Sequence, residues 1–192
     1  GGMGIIVLAV AILPILGIGG MQLFGAESPG ISPDKLKPRI KDTAKRLWVI
    51  YVGLTVLEAI LLMFGGMTFF DAINHSLTTM ATGGFSTKNA SLAYYTSPYI
   101  HYVITFFMIL AGTSFTLTYF MLKRQFQKVL SNEEFVVYLT FLLLATVLIT
   151  GFVHYASDQS FETSFRETLF QVVSVVTTTG FVSEDYTSWT PL

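Results

Sequence analysis

Four stretches of the chain are apolar for long enough to cross a bilayer as helix, which takes about 20 residues. They run over Met3–Phe24, Leu47–Gly65, Tyr99–Leu122 and Phe135–Tyr155. After the second and fourth the pattern changes to a short amphipathic run that leads into threonines and glycines. Phe69–Met80 and Phe165–Val176 are these runs, 12 residues each. Such a helix is about 18 Å long and too short to span. The two segments superpose at a constant offset of 96 residues. Phe69 then meets Phe165, Asp71 meets Glu167, Ile73 meets Leu169, Thr82 meets Thr178, and Gly84-Phe85 meets Gly180-Phe181. A long apolar helix, a short amphipathic helix and a Thr/Gly hairpin thus occur twice, the layout of a membrane helix, a re-entrant pore helix and a selectivity filter.

Charge placement orients the spans. Only 12% of residues are charged, against 52% hydrophobic, where a soluble domain carries about 25% charged residues. Nine of the eleven basic residues fall between spans one and two or just after span three. By the positive-inside tendency those two loops are cytoplasmic, so 86–98 and 182–192 face outside. Six acids (Asp71, Asp158, Glu162, Glu167, Glu184 and Asp185) against Lys88 and Arg166 make the outer segments acidic. Tyr94, Tyr95, Tyr99 and Tyr102 suit the outer interface, and Trp48 and Tyr51 the inner one. A net charge of −1 argues against nucleic-acid binding. With no cysteine, disulfides and thiolate metal sites are excluded. No basic region precedes the first apolar run, as a signal peptide would require. The chain opens inside an apolar stretch, as a piece of a longer protein would.

The hairpins carry the chemistry. Non-helical backbone at membrane depth is costly unless it is buried or lines a watery cavity. Each short helix would enter from outside and end near mid-membrane, its C-terminus carrying roughly half a negative charge. A cation in a central cavity is stabilised by such ends. Thr82-Gly83-Gly84-Phe85 must then return outward, and its carbonyls can replace an ion's hydration shell. Glycine permits the backbone angles this needs, at Gly84 and Gly180. The candidate ligands are the carbonyls of Ala81, Thr82, Gly83 and Gly84, and of Thr177, Thr178, Thr179 and Gly180. Phe85 and Phe181 would pack outward and hold the hairpins. The bland reading, two extracellular loops with glycine turns, does not explain two copies at one offset.

Other residues carry two readings each. Lys88 is a tether or a field-tuning charge at the outer mouth, or an exposed bystander. Glu58, in the middle of span two, is functional, or a carboxylate paired inside the bundle or beside a water pocket. His75 lies on a pore helix, where buttressing explains it equally well. His101 and His154 fall near the outer ends of spans and read as interfacial. The three histidines are scattered along the chain and do not form a zinc site. Thr113 and Ser114 line a cavity below the filter or allow close packing. Pro14 kinks the first span, and glycines at 17, 19 and 20 allow close packing there.

Ala81-Thr82-Gly83-Gly84-Phe85-Ser86-Thr87 and Thr177-Thr178-Thr179-Gly180-Phe181 resemble the filter motifs of the TrkH/KtrB/HKT superfamily of potassium transporters. Gly1-Gly2-Met3-Gly4 through Pro14 is similar to the inner helix that closes that family's first repeat. Ala26-Glu27-Ser28-Pro29-Gly30 is similar to the linker after it, and Ala111-Gly112-Thr113-Ser114-Phe115 to a small-residue patch in the second inner helix. The resemblance covers essentially the whole chain. It implies an all-α membrane protein of repeated helix–pore-loop–helix units of potassium-channel type, four repeats around one pore. Residues 1–24 would be the inner helix ending repeat one, and 25–46 a cytoplasmic linker. Residues 47–130 would be a complete repeat with its filter at 81–85, and 131–192 the outer helix, pore helix and filter of the next.

The resemblance further implies potassium uptake in the bacterial cytoplasmic membrane, with K+ bound by the filter carbonyls and no organic cofactor. It implies a homodimer in lipid and a cytosolic nucleotide-binding regulatory subunit of TrkA or KtrA type. Tetrameric channels have two filter glycines per strand. Here only the one before phenylalanine recurs, which implies looser selectivity. Sodium-preferring plant relatives replace one such glycine with serine, so glycine at 84 and 180 favours potassium over a sodium-conducting member. A secondary cation transporter with broken helices is the main alternative. It expects inverted repeats, whereas both pore segments follow outward-going helices. A membrane enzyme would need a nucleophile–base set or metal cluster at depth, and none is visible. A scaffold would not need paired filters.

Overall fold

The computed structural model describes residues 40–156, 160–184 and 189. The expected first span and the linker as far as residue 39 lie outside them, as does most of 185–192. Every regular element among the described residues is helical. Helix α1 covers Ile40–Phe64, α2 Phe69–Met80, α3 Pro98–Ala111, α4 Phe115–Leu122, α5 Phe126–Leu130, α6 Glu133–Ala156 and α7 Phe161–Val176. A 3₁₀ turn at Ser91–Tyr94 lies between α2 and α3. Helices α1 and α6 are long and apolar enough to cross a membrane.

Local sequence sets the helix ends. Thr68 caps α2: its hydroxyl accepts from Asp71 N–H at 3.2 Å and donates to the Asp71 carboxylate at 2.9 Å. Asn132 caps α6 through Phe135 N–H at 2.8 Å. Glu133 and Glu134 then sit in its first turn, where the helix dipole favours negative charge. Pro98 starts α3, where a missing N–H costs nothing.

Helix α1 is already formed at Ile40, ahead of the apolar stretch, since no proline or glycine interrupts residues 40–52, and its membrane-crossing part is Arg46–Phe64, close to the expected Leu47–Gly65. Two expected boundaries are corrected. Helix α7 begins at Phe161, a turn before Phe165, because Ser160 caps it by accepting from Thr163 N–H at 3.2 Å. The span expected over Tyr99–Leu122 is broken. Pro98–Ala111 and Thr116–Leu122 meet at 117°, across Gly112-Thr113-Ser114. Thr113 N–H turns back to the Leu110 carbonyl at 3.1 Å. The Ile109 carbonyl, which a continuous helix would pair with Thr113 N–H, accepts from the Tyr138 hydroxyl of α6 at 3.4 Å.

Each outer helix packs on its own pore helix, α1 on α2 and α6 on α7, and α3 lies against both pore helices. The core sits where these meet, around Leu62, Leu92, Ile104, Met108, Phe170 and Phe181. Leu143, Leu144, Val147, Leu148 and Phe152 of α6 are exposed, an apolar face that suits lipid. In lipid, burying apolar surface drives little association, so close packing and hydrogen bonds between elements hold the bundle.

Candidate cation filter

Helices α2 and α7 end in the same way. Ala81 N–H donates to the Leu77 carbonyl at 3.1 Å, and Thr177 N–H to Val173 at 2.9 Å. Thr82 N–H reaches Thr79 at 2.9 Å, and Thr178 N–H reaches Val175 at 3.0 Å. Gly83 N–H returns to Thr78 at 2.7 Å, and Thr179 N–H to Ser174 at 2.9 Å. A side-chain clamp then closes each hairpin. The Thr78 hydroxyl shares its one proton among the carbonyls of Phe85 at 2.9 Å, Asn74 at 3.0 Å and His75 at 3.1 Å, and the Ser174 hydroxyl donates to the Phe181 carbonyl at 2.7 Å.

Between those ties lie the carbonyls of Ala81–Gly84 and of Thr177–Gly180. Among the described residues no hydrogen bond ends on any of the eight. Buried backbone carbonyls are paired as a rule, and of the eight residues Thr177 and Thr179 are buried. The backbone angles repeat as well. Ala81 and Thr177 are right-handed, with φ of −82° and −79°. Thr82 and Thr178 are left-handed at 49° and 58°, and Gly84 and Gly180 again positive at 63° and 87°. A β-branched residue in that region costs on the order of 1–3 kcal/mol. The same strain at the same place in both hairpins marks a required shape.

The two hairpins lie edge to edge. A Cβ added at Gly84 would strike the carbonyl oxygen of Thr179, and would come within 2.9 Å of its carbonyl carbon. The 3₁₀ turn of the first unit holds the second hairpin. Ala93 N–H donates to the Val182 carbonyl at 3.1 Å, and Val182 N–H to the Ser91 hydroxyl at 3.3 Å.

A polar network backs the first filter. Asp71 is buried and accepts from the Thr87 hydroxyl at 2.6 Å and from Thr68. The Lys88 ammonium lies 3.3 Å from it and 5.0 Å above the Tyr94 ring, so Lys88 is a tether and no bystander. The Thr87 hydrogen bond first, with those of Thr68 and Lys88, holds the Asp71 carboxyl down at about 2 against its burial. His75 acts as a buttress. Its Nδ1–H donates to the Asp71 carbonyl at 2.7 Å, and its Nε2 accepts from the Ser86 hydroxyl at 2.9 Å.

Four expectations about single residues change. His101 is buried, not interfacial. Its Nε2–H donates to the Leu92 carbonyl at 3.2 Å, and its Nδ1 accepts from Arg166 at 2.8 Å. Because guanidinium can only donate, this fixes the neutral tautomer and ties α3 to α7. Phe181 is wholly buried beside His75, whereas Phe85 is 77% exposed. The filter phenylalanine of one unit packs on the pore helix of the unit before it, and Phe85 has no such helix among the described residues. Glu58 is wholly buried, with no hydrogen-bond partner at either carboxylate oxygen among the described residues. The nearby Thr79 hydroxyl is committed to the His75 carbonyl at 2.7 Å. Thr113 and Ser114 belong to the helix break, where Thr113 returns its hydroxyl to Leu110 at 2.7 Å and Ser114 precedes α4, and both line a cavity of about 160 Å³ with Glu134 and Tyr138. His154 is exposed, edge-on to Phe161.

The hydroxyl clamps of Thr78 and Ser174 were not anticipated from the sequence. Their signal was present, since 78 and 174 coincide at the offset of 96.

The family model TrkH, described as a cation transport protein, matches residues 1–192. The chain is 46% identical over 195 residues to the Trk system potassium uptake protein TrkH of Salmonella typhimurium, covering 98% of this chain and 40% of that protein. It is 40% identical over 190 residues to TrkI of Halomonas elongata, covering 98% of this chain and 38% of that protein. Its fold is similar to the crystal structure of the potassium transporter TrkH from Vibrio parahaemolyticus, with a TM-score of 0.73 and 38% identity, over 95% of this chain and 37% of that one. The chain thus spans about two fifths of the length of the curated relatives it matches.

Proposed function

Because the chain belongs to the TrkH family of cation transport proteins, we propose that it supplies two of the filter strands of a potassium-uptake pore. The carrying observation is the row of carbonyls at Ala81–Gly84 and Thr177–Gly180 that accept no hydrogen bond among the described residues. Alternation of right- and left-handed residues turns successive peptide groups to one side. The N–H groups fold back on the pore helices, which leaves the carbonyls to face an ion. The C-terminal ends of α2 and α7 add their partial negative charge beneath.

In this reading the chain belongs to a multi-pass protein of the bacterial cytoplasmic membrane. Residues 1–24 end one repeat, 25–46 link it to the next, 47–130 form a repeat, and 131–192 begin another. The full-length protein conducts without covalent catalysis, works as a homodimer, and answers to a cytosolic nucleotide-binding subunit. That last element fits relatives named as parts of a Trk system. Glycine at 84 and 180 supports potassium over sodium, and the equal polarity of the two units argues against an inverted-repeat transporter.

Serine at either glycine tests the reading. Gly84→Ser drives a Cβ into the Thr179 carbonyl, whereas Gly180→Ser meets nothing within 4 Å and suffers only at its φ of 87°. Losing about 1.4 kcal/mol of differential stabilisation alters preference tenfold. Both variants of the full-length protein should discriminate less between potassium and sodium in cells lacking other potassium import, Gly84→Ser the more severely. Wild-type preference in both, at normal expression, would show that these glycines are not filter residues.

A further inference from the structure

The two filters are backed differently, and the difference falls on the charge. The positions of the first network map at the offset of 96 onto the second unit. Thr68, Asp71, Thr87 and Lys88 become Ser164, Glu167, Ser183 and Glu184. In the first unit both hydroxyls and the ammonium converge on the Asp71 carboxylate. In the second unit Ser164 Oγ, Glu167 Oε2 and Ser183 Oγ are all buried without a hydrogen-bond partner among the described residues. These residues are 0%, 6% and 3% exposed. Gln171, where the first unit has His75, has a buried unpartnered Oε1. Burial, and then the charge of Glu184, push the Glu167 carboxyl above its ordinary range, the opposite of Asp71. An unpaired buried carboxylate is far costlier than a paired one.

We propose that Glu167 seats a monovalent metal cation behind the second filter strand, in the place where the first unit seats the ammonium of Lys88. The available donors are all hard oxygens, which suit an alkali or similar cation. One buried carboxylate balances a single charge, and no group of three carboxylate or histidine side chains lies together among the described residues to hold a higher one. Arg166, the neighbouring cation, is turned to His101 and Glu162, and no lysine or arginine occurs from 167 to 192. Glu184 and Glu162 add negative charge near Glu167, which raises the local concentration of cations. Such an ion would brace the strand at Ser183, as Lys88 and Asp71 brace Thr87. The site lies off the conduction path and stands apart from the filter reading.

Anomalous scattering from thallium(I), a heavy stand-in for potassium, tests this in crystals of the full-length protein. The expected result is a peak beside the Glu167 carboxylate, off the pore axis. It should be lost in Glu167→Gln, and also in Glu184→Lys, which places an ammonium where Lys88 sits. The proposal is overturned if wild-type crystals show no off-axis peak at Glu167, if a basic side chain from beyond residue 192 fills the place, or if the peak survives either substitution. Peaks on the axis are read separately, and their absence would count against the filter alone.

Discussion

Thr78 and Ser174 do the same work in different surroundings. Each donates its hydroxyl to the carbonyl of the filter phenylalanine, which sets where the row of unpaired carbonyls ends. The Ser174 bond is buried and the Thr78 bond is exposed. Ser174→Ala therefore leaves a buried carbonyl unsatisfied, at about 1–3 kcal/mol, while water can replace the lost donor in Thr78→Val. Thermal melting of the full-length protein should fall clearly for Ser174→Ala and less for Thr78→Val. Equal losses would show that the clamps are not what distinguishes the sites. Asp71 makes a second prediction. Its folded carboxyl titrates at about 2, below the ordinary 3.8. Its contribution is therefore fully present above pH 3.8 and is lost as pH falls towards 2. Asp71→Asn should remove that acid limb from melting curves taken from pH 5 down to pH 2. An unchanged limb would mean that the Thr87 and Lys88 contacts do not hold the filter.

At the scale of elements, the break between α3 and α4 is the feature that couples the two units. A Cβ at Gly112 would lie 2.8 Å from Thr177 Cγ2 and 2.8 Å from the Tyr138 hydroxyl. Thr177 is the residue at which α7 passes into its filter. Gly112→Ala should therefore displace the second filter from a position on another helix, and reduce potassium uptake at normal expression. Thr177→Ser removes the methyl group in the way and should restore part of the loss in the double variant. Strictly additive defects would show that the two residues do not press on one another. Apolar pattern could not reveal this break, because Tyr99–Leu122 is long and hydrophobic whether straight or bent. The extra turn of α7 was hidden for a related reason. Phe161-Glu162-Thr163 has no likeness to Gly65-Gly66-Met67 at the offset of 96, although Ser164 matches Thr68, so the repeat stopped short of the true helix start.

For the whole molecule, sequence was most informative where the two units repeat. Both pore helices end where the offset of 96 predicts, at Met80 and Val176. The positive φ values fall at matching positions, and the threonines are left-handed as well as the glycines. Contacts between units were not legible, since they join residues far apart in the chain. Arg166 meets His101 across 65 positions and Val182 meets Ser91 across 91. No periodicity links such pairs. They nonetheless explain why Phe181 is buried: the second filter is completed by the unit before it.

The central claim is that the unpaired carbonyls of Ala81–Gly84 and Thr177–Gly180 bind potassium. Ion density in a structure of the full-length protein, grown with rubidium in place of potassium and read by its anomalous signal, tests it most directly. Peaks on a common axis about 3 Å from these oxygens are the predicted result. Carbonyls that face lipid or bulk water, with no peak between the two strands, would contradict it.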